Sequence, residues 1–240
     1  MQAGLDTSEA GARGVSPQEI ARFDALASRW WDPDGPMKPL HRMNPLRIGW
    51  IDSRIPPGSR VLDVGCGAGL AAEALARRGH DVLGIDAAGE AIAAARTHAD
   101  GLGLRLAYRE AVAGDLLAEG ARFPVISALE VIEHVPDPAA FLHTLAALLA
   151  PGGVLFLSTM NRTWRSYLAA KVGAEYVLRW LPVGTHDWRK FISPTEAGGL
   201  LRDAGLRVAD ITGLEFDAFS MRWKAGRDMG VNYLLEARAE

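Results

Sequence analysis

The chain has 240 residues, 49% apolar and 23% charged, with a net charge of −3, which suits one α/β domain with its own core and gives no basic field for nucleic acid. Its single cysteine, Cys66, excludes an internal disulfide and a cysteine-rich zinc site, and fits a reducing compartment. No run of eighteen apolar residues could cross a bilayer, so a cytoplasmic protein is expected, at most peripheral on the inner face of the membrane.

Residues 1–15 are polar and carry Asp6 and Glu9 with one arginine, which reads as a disordered leader rather than a signal or transit peptide. From residue 16 to 240 the pattern is that of a single domain. "SPQEIARFDALASRWWD" opens with Ser16 as N-cap, Pro17 at the first helical position and Glu19 placed to close a capping box. Ile20, Phe23, Ala27 and Trp30 recur at helical spacing, so an amphipathic helix precedes the main fold. A second helix is expected from Asn44-Pro45 to about Ser53, ended by "PPG" at 56–58. Residues 16–55 together read as a helical lid, with Phe23, Trp30 and Trp31 as lid or core side chains.

From Arg60 the rhythm alternates. "RVLDVG", "DVLGID", "LRLAYRE", "PVISALE" and "VLFLST" read as strands, separated by the helical stretches "LAAEALARRG", "EAIAAARTHADGLG" and "DPAAFLHTLAALLAPGG". Ser193 to Glu196 repeats the capping-box signature before "AGGLLRDAG", and "LRVADITGL" and "VNYLLEARA" bring the strands to seven. The predicted architecture is a doubly wound, mostly parallel seven-stranded α/β sheet, Rossmann-like, with residues 162–190 inserted.

"VLDVGCGAG" sets Gly65, Gly67 and Gly69 between a buried strand and a helix, where glycines let a ligand approach the backbone. Asp86 ends the next strand, where a carboxylate can accept from both hydroxyls of a ribose. A dinucleotide site wants a third small residue where Leu70 stands, for close approach of a pyrophosphate. The spacing is instead G-x-G-x-G with Asp63 two residues upstream, similar to motif I of class I methyltransferases. S-adenosylmethionine (SAM) has no phosphate and needs backbone approach and carboxylates, so a SAM site is expected.

"ALEVIEHVPDP" places Glu130, Glu133 and His134 at i, i+3 and i+4, on one face if the backbone there is helical. Leu129 and Glu130 fall beside the cofactor crevice. Two carboxylates and an imidazole suit Mg²⁺, Mn²⁺ or Zn²⁺, and a bound cation or a neighbouring base would activate a phenol, whose pKa is roughly 10. The same trio could equally be a first-turn carboxylate and a packed histidine. The spacing alone leaves these alternatives open. With the metal, His134 is the candidate to deprotonate or orient the hydroxyl, and His41 and His186 are weaker candidates for a base.

Over most of its length, from about Ser16 to Tyr233, the chain resembles the ubiquinone-biosynthesis O-methyltransferases. The resemblance is carried by "ASRWWD", "KPLH", "NPLR", "VLDVGCGAG", "EVIEHVPDP", "VGAEYVLRWLPVGTHDW", "KFI", "DITG" and "VNY". It implies methylation of polyprenyl catechols, with SAM contacts at Arg47, Gly65, Asp86 and Leu129 and a divalent metal, Mg²⁺ for choice, at Glu130, Glu133 and His134. Arg47 would pair the methionine carboxylate with its guanidinium fork. Two departures stand out: Pro124, where an aspartate commonly precedes the fourth strand, and Leu129, where a methionine often faces the adenine. The readings that compete are a methyltransferase of another small acceptor with the trio structural, a silent SAM-binding module, and a nicotinamide oxidoreductase, against which Leu70 argues.

A polyprenyl tail partitions into lipid at ~0.8 kcal/mol per buried CH₂, so an enzyme acting on it must meet the bilayer or extract the tail. Residues 162–190 combine Trp164, Tyr167, Tyr176, Trp180 and Trp188 with six basic residues against two acidic, net +4 in an acidic chain. That mixture suits an anionic membrane surface, and serves equally as a lid over the active site. The resemblance also leaves room for contact with other ubiquinone-biosynthesis proteins.

Overall fold

The computed structural model describes residues 15–168, 188–217 and 222–239. Eight strands form one sheet: β1 (Arg60–Val64), β2 (Asp81–Asp86), β3 (Leu106–Glu110), β4 (Phe123–Leu129), β5 (Leu149–Met160), β6 (Leu206–Asp217), β7 (Arg222–Gly226) and β8 (Asn232–Ala239). Their order is β3-β2-β1-β4-β5-β8-β6-β7. The pairs β1–β2, β2–β3, β1–β4 and β4–β5 are parallel, and β8 runs antiparallel to both β5 and β6. The strand beyond the seven expected is β7, which forms an antiparallel hairpin with β6 at the sheet edge.

The doubly wound arrangement follows from the apolar pattern of the strands. Successive side chains of a strand point to opposite faces. In β1, Val61 packs with Leu75, Val82, Ile92 and Phe156 on one face, whereas Leu62 packs with Ile126, Leu142, Leu145 and Leu155 on the other. Such strands are covered on both sides. The first face is closed by α2 (Lys38–Asp52), α3 (Leu70–Arg77) and α4 (Gly89–Ala99), the second by α6 (Pro138–Leu148) and α8 (Pro194–Asp203). The strand order reverses between β1 and β4, which opens a crevice beyond their carboxyl ends.

Several local expectations are modified. Helix α1 spans Pro17–Leu26 and passes into a 3-10 turn at Ala27–Arg29. The capping box at Ser16 does not form, because Ser16 Oγ lies against Gln18 and the Glu19 carboxylate is drawn to His134. The box at Ser193 does form, Glu196 Oε2 accepting from Ser193 N at 2.9 Å. Helix α2 starts at Lys38, earlier than the Asn44 expected, with Pro39 setting its first turn, and it runs through Pro45 because Ile48, Trp50 and Ile51 are buried beyond it. A short helix, α5 (Ala113–Ala118), was not foreseen; only Ala113 and Leu116 of it are buried, too few for a visible period. Pro124, which cannot donate to the ladder, is exposed where the β4–β5 register shifts between Phe123 and Val125. Of the 162–190 segment, residues 169–187 lie outside the described residues; its start carries the short helix α7 (Trp164–Tyr167).

The N-terminal helices wrap over the glycine loop. Trp30 is 5% exposed, and its ring lies so close to Gly67 that a Cβ there would fall inside it. Trp31 Nε1 donates to Ala68 O at 3.0 Å, and its ring stacks on His98 with centroids 3.4 Å apart. Phe23, Trp30 and Trp31 therefore pack on and beside the glycine loop.

Candidate active site

The crevice is built first by the loop after β1. Gly65 and Gly67 have φ of +67° and +54°, and a Cβ on Gly65 would strike Val131. Asp86, at the end of β2, accepts from Gly67 N at 2.8 Å and Ala88 N at 2.9 Å, which ties loop and strand together. Asp63 is buried, with Ser127 Oγ donating to its Oδ1 at 2.7 Å and no hydrogen-bond partner for Oδ2 among the described residues. Burial pushes the Asp63 carboxyl up to about 6 against the pull of Ser127 and Arg47, and burial raises Asp86 likewise.

Arg47 comes from α2. It is 3% exposed, where a surface arginine would lie open. Its Nη2 donates to Asn44 Oδ1 at 3.3 Å and Nη1 stands 4.0 Å from Glu130 Oε1, but neither Nε nor Nη1 has a hydrogen-bond acceptor among the described residues. Burial opposes its charge, and Glu130, Asp63 and Glu133 support it, in that order.

The Glu130, Glu133, His134 face expected from the spacing does not form. Glu130 has φ +59°, the one non-glycine in the left-handed region among the described residues, and only Ile132–His134 form a 3-10 turn. Such a conformation costs about 1–3 kcal/mol and persists where surroundings over-determine it. Here the Glu130 N–H donates to Ser158 O at 2.9 Å, and Oε1 accepts from Ser158 Oγ at 2.6 Å. Asn232 Nδ2 lies 3.2 and 3.1 Å from the two carboxylate oxygens.

Glu133 Oε2 accepts from Thr159 Oγ1 at 2.8 Å. His134 Nδ1 sits 3.1 Å from Glu19 Oε2 of the lid, with Phe23 edge-on to its ring. Burial, then the Glu130 charge, lifts Glu133 to about 7. Burial pulls His134 down, but the Glu19 hydrogen bond and the Glu133 charge outweigh it and raise the imidazole. The His134 hydrogen bond in turn lowers Glu19 to about 2.

Each of the three donors expected at a metal site holds a separate protein partner here. Among the described residues, no three His, Cys, Asp or Glu side chains are grouped to hold an ion. The donors are divided: Glu130 to Ser158 and Asn232, Glu133 to Thr159, His134 to Glu19. As arranged, they do not fit a shared cation.

Glu19, Arg47, Asp63, Asp86, Glu130, Glu133, His134 and Asn232 line one cavity of about 1170 Å³, as do Leu129 and, further on, Leu40, Met43, Leu214 and Trp223. A small-molecule site occupies about 300–1,000 Å³, so the cavity is ample for a nucleoside cofactor. Gly69 does not line the cavity; its positive φ lets Tyr108 pack beside the loop. Sequence reasoning missed Asn232 and Glu19. The first stands as a polar residue opening an apolar strand, and the second was assigned to a cap.

Comparison with known proteins decides the family. Residues 5–211 match the family model of a methyltransferase domain. The ubiquinone biosynthesis O-methyltransferase of Marinobacter nauticus is 47% identical over 230 residues, covering 94% of this chain and 97% of its own. That of Pseudomonas paraeruginosa is 48% identical over 228 residues, covering 94% and 98%. The chain belongs to the ubiquinone biosynthesis O-methyltransferases. It is a SAM-dependent enzyme that methylates oxygen in ubiquinone biosynthesis. The fold agrees: a SAM-dependent methyltransferase of Thermotoga maritima, 17% identical, superposes with a TM-score of 0.62 over 92% of this chain and 99% of that one.

The residues of this methyltransferase fit SAM. A buried guanidinium with two unpaired nitrogens suits the methionine carboxylate, and Asp63 and Asp86 supply negative charge for a cation and hydroxyls. A pH dependence follows. Burial favours the protonated Asp63 carboxyl below about 6, and if Asp63 faces the cationic end of SAM, binding releases that proton. The sign is that SAM binding weakens as pH falls through that value, by up to about tenfold per pH unit for one linked proton. Calorimetry between pH 5 and 7.5 should show this rise in Kd, reduced in Asp63→Asn; an equal Kd at both pH values contradicts the assignment.

Proposed function

We propose that this enzyme methylates a catechol hydroxyl of polyprenylated ubiquinone precursors, at both the 2-polyprenyl-6-hydroxyphenol and the 3-demethylubiquinol stage. The observation that carries the reading is one cavity in which Arg47, two of whose nitrogens lack a hydrogen-bond acceptor among the described residues, and the glycine loop occupy one side and Glu133, His134 and an apolar wall the other. Bound SAM supplies an electrophilic methyl on a sulfonium sulfur.

In this reading Arg47 holds the methionine carboxylate, and the Gly65–Gly67 backbone and Asp86 receive the nucleoside. Leu129, partly buried at the end of β4, packs beside it. The lid residues Phe23, Trp30 and Trp31 close the loop side and exclude water. The acceptor ring lies between Leu129 and the apolar surface of Met43, Leu214 and Trp223, with its reacting oxygen beside Glu133. As the new C–O bond forms and the C–S bond breaks in line, the phenolic proton passes to the Glu133 carboxylate, and the sulfur leaves as a neutral thioether. Glu130 keeps Arg47 aimed, and His134 ties the lid to the base through Glu19. A divalent cation at Glu130, Glu133 and His134 would have to replace their present hydrogen bonds, so no step is routed through one.

The test is methyl transfer from labelled SAM to a short-chain prenyl catechol. Glu133→Gln is expected to lower kcat by about 10²–10⁴ with SAM affinity little changed. An unchanged kcat would falsify the role of Glu133, and absence of turnover by the parent enzyme on any catechol would remove the substrate assignment. Chelated and Mg²⁺-supplemented arms of the same assay decide whether the trio re-forms about a cation.

The tail is expected at a membrane surface. At the ends of residues 169–187, Trp164 is 71% exposed and Tyr167, Leu168 and Trp188 are exposed too, beside Arg162, Arg165, Arg189 and Lys190. No helix among the described residues is long and apolar enough to cross a bilayer, so a peripheral contact is meant. Cosedimentation with anionic vesicles, weakened by salt and by Trp164→Ala, is the expected result; equal recovery with and without vesicles counts against it.

A further inference from the structure

One polar atom of the cavity wall has no part in the reaction as described. Asn232 opens β8, lines the cavity and is 5% exposed. Its amide orientation is set by chemistry: the Glu130 carboxylate only accepts, so Nδ2 must face it and Oδ1 must point elsewhere. That Oδ1 is buried and has no hydrogen-bond donor among the described residues. A buried carbonyl left without a donor is costly, and a site keeps one when something else completes it.

The position of Asn232 says from which side the donor comes. In the order β1-β4-β5-β8 it stands three strands from β1. At about 4.8 Å per strand this is about 14 Å from the glycine loop. Gly67 and Asp86, placed above at the nucleoside, lie at the ends of β1 and β2 on the opposite side. Glu130, which Asn232 holds, stands 4.0 Å from Arg47, so Asn232 borders the methionine end of SAM as well as the acceptor. Next to Asn232, its ladder partners Met160 and Leu214 line the same cavity with apolar surface. An aromatic acceptor packed on that surface would meet Asn232 Oδ1 as the nearby unpaired acceptor for a hydroxyl.

We propose that Asn232 Oδ1 accepts a hydrogen bond from the hydroxyl of the acceptor that is not being methylated, so that Asn232 selects a vicinal diphenol over a monophenol. The inference rests on the catechol reading above and adds to it a residue that discriminates. A monophenol leaves Oδ1 buried and unpaired, whereas a catechol pairs it while the neighbouring oxygen faces Glu133.

The experiment compares kcat/KM for a short-chain prenyl catechol with that for the same ring lacking the second hydroxyl. The ratio is measured in the parent enzyme, Asn232→Leu, Asn232→Ser and Ser158→Ala. The catechol-to-phenol ratio should fall by about tenfold or more in Asn232→Leu, the effect of one lost hydrogen bond to a buried group. Asn232→Ser, a smaller polar change, covers the case in which the leucine variant fails to fold, and should lower the ratio as well. Ser158→Ala loosens the same Glu130 carboxylate without touching the acceptor, so it should lower both substrates alike and keep the ratio. A ratio unchanged in the Asn232 variants overturns the proposal, as expected if Oδ1 only holds a structural water. An equal collapse in Ser158→Ala overturns it too, because Asn232 would then act through Glu130. Failure of the parent enzyme on catechols sinks the substrate assignment instead, so the two failures are distinguishable.

Discussion

A guanidinium at 3% exposure, with two of its nitrogens lacking a hydrogen-bond acceptor among the described residues, is the constraint about which the site is organised. Removing a full charge from water costs several kcal/mol unless other charges compensate. Around Arg47 the compensation comes from Glu130, Asp63 and Glu133, supplied by the ends of two strands and the turn after the second. The cost is then passed on. Glu130 must adopt a left-handed backbone to present its carboxylate, and its charge helps lift Glu133 to about 7. Burial, with the Glu130 charge beside it, thus leaves a carboxyl group near neutrality in the same cavity as the buried cation.

The N-terminal segment also lines the cavity rather than standing apart from it. Trp30 fills the space above Gly67, and Trp31 stacks on His98, which is fixed in turn by Glu73 at 2.7 Å. Glu19 reaches across to His134, so the first helix and the turn after β4 are joined by a charge-assisted contact. Residues more than a hundred positions apart therefore close one wall. The pair has a defined pH window: lowered Glu19 supports docking above its ordinary 4.5 and loses that support as pH falls towards 2, while raised His134 supports it below its ordinary 6.5 and loses that support above it.

Much of this was legible in the sequence where period and punctuation agree. "DVLGID" is β2 residue for residue, and the glycine loop, Asp63 and Asp86 stand where strand and helix rhythm puts them. What escaped was decided by partners distant in the chain. Glu19 looked like the second half of a capping box until His134 was placed beside it. The Glu130–His134 trio looked like a helix face, but Ser158 and Asn232 bend the chain at Glu130. Strand β7, "RWKAG", has no clean alternation because it is an edge strand with one partner. Asn232 gave little signal, since its meaning lies in which of its two amide atoms is left over.

The central claim is the proposal that the buried Arg47, whose Nε and Nη1 lack a hydrogen-bond acceptor among the described residues, receives the SAM carboxylate. Calorimetric binding of SAM and of decarboxylated SAM to the intact enzyme tests it most directly. The account expects the decarboxylated compound to bind at least about tenfold more weakly, and Arg47→Leu to abolish that difference, as for loss of a charge-assisted pair. Equal affinity of the two compounds for the parent enzyme would contradict it, and would leave the buried guanidinium serving Glu130 alone.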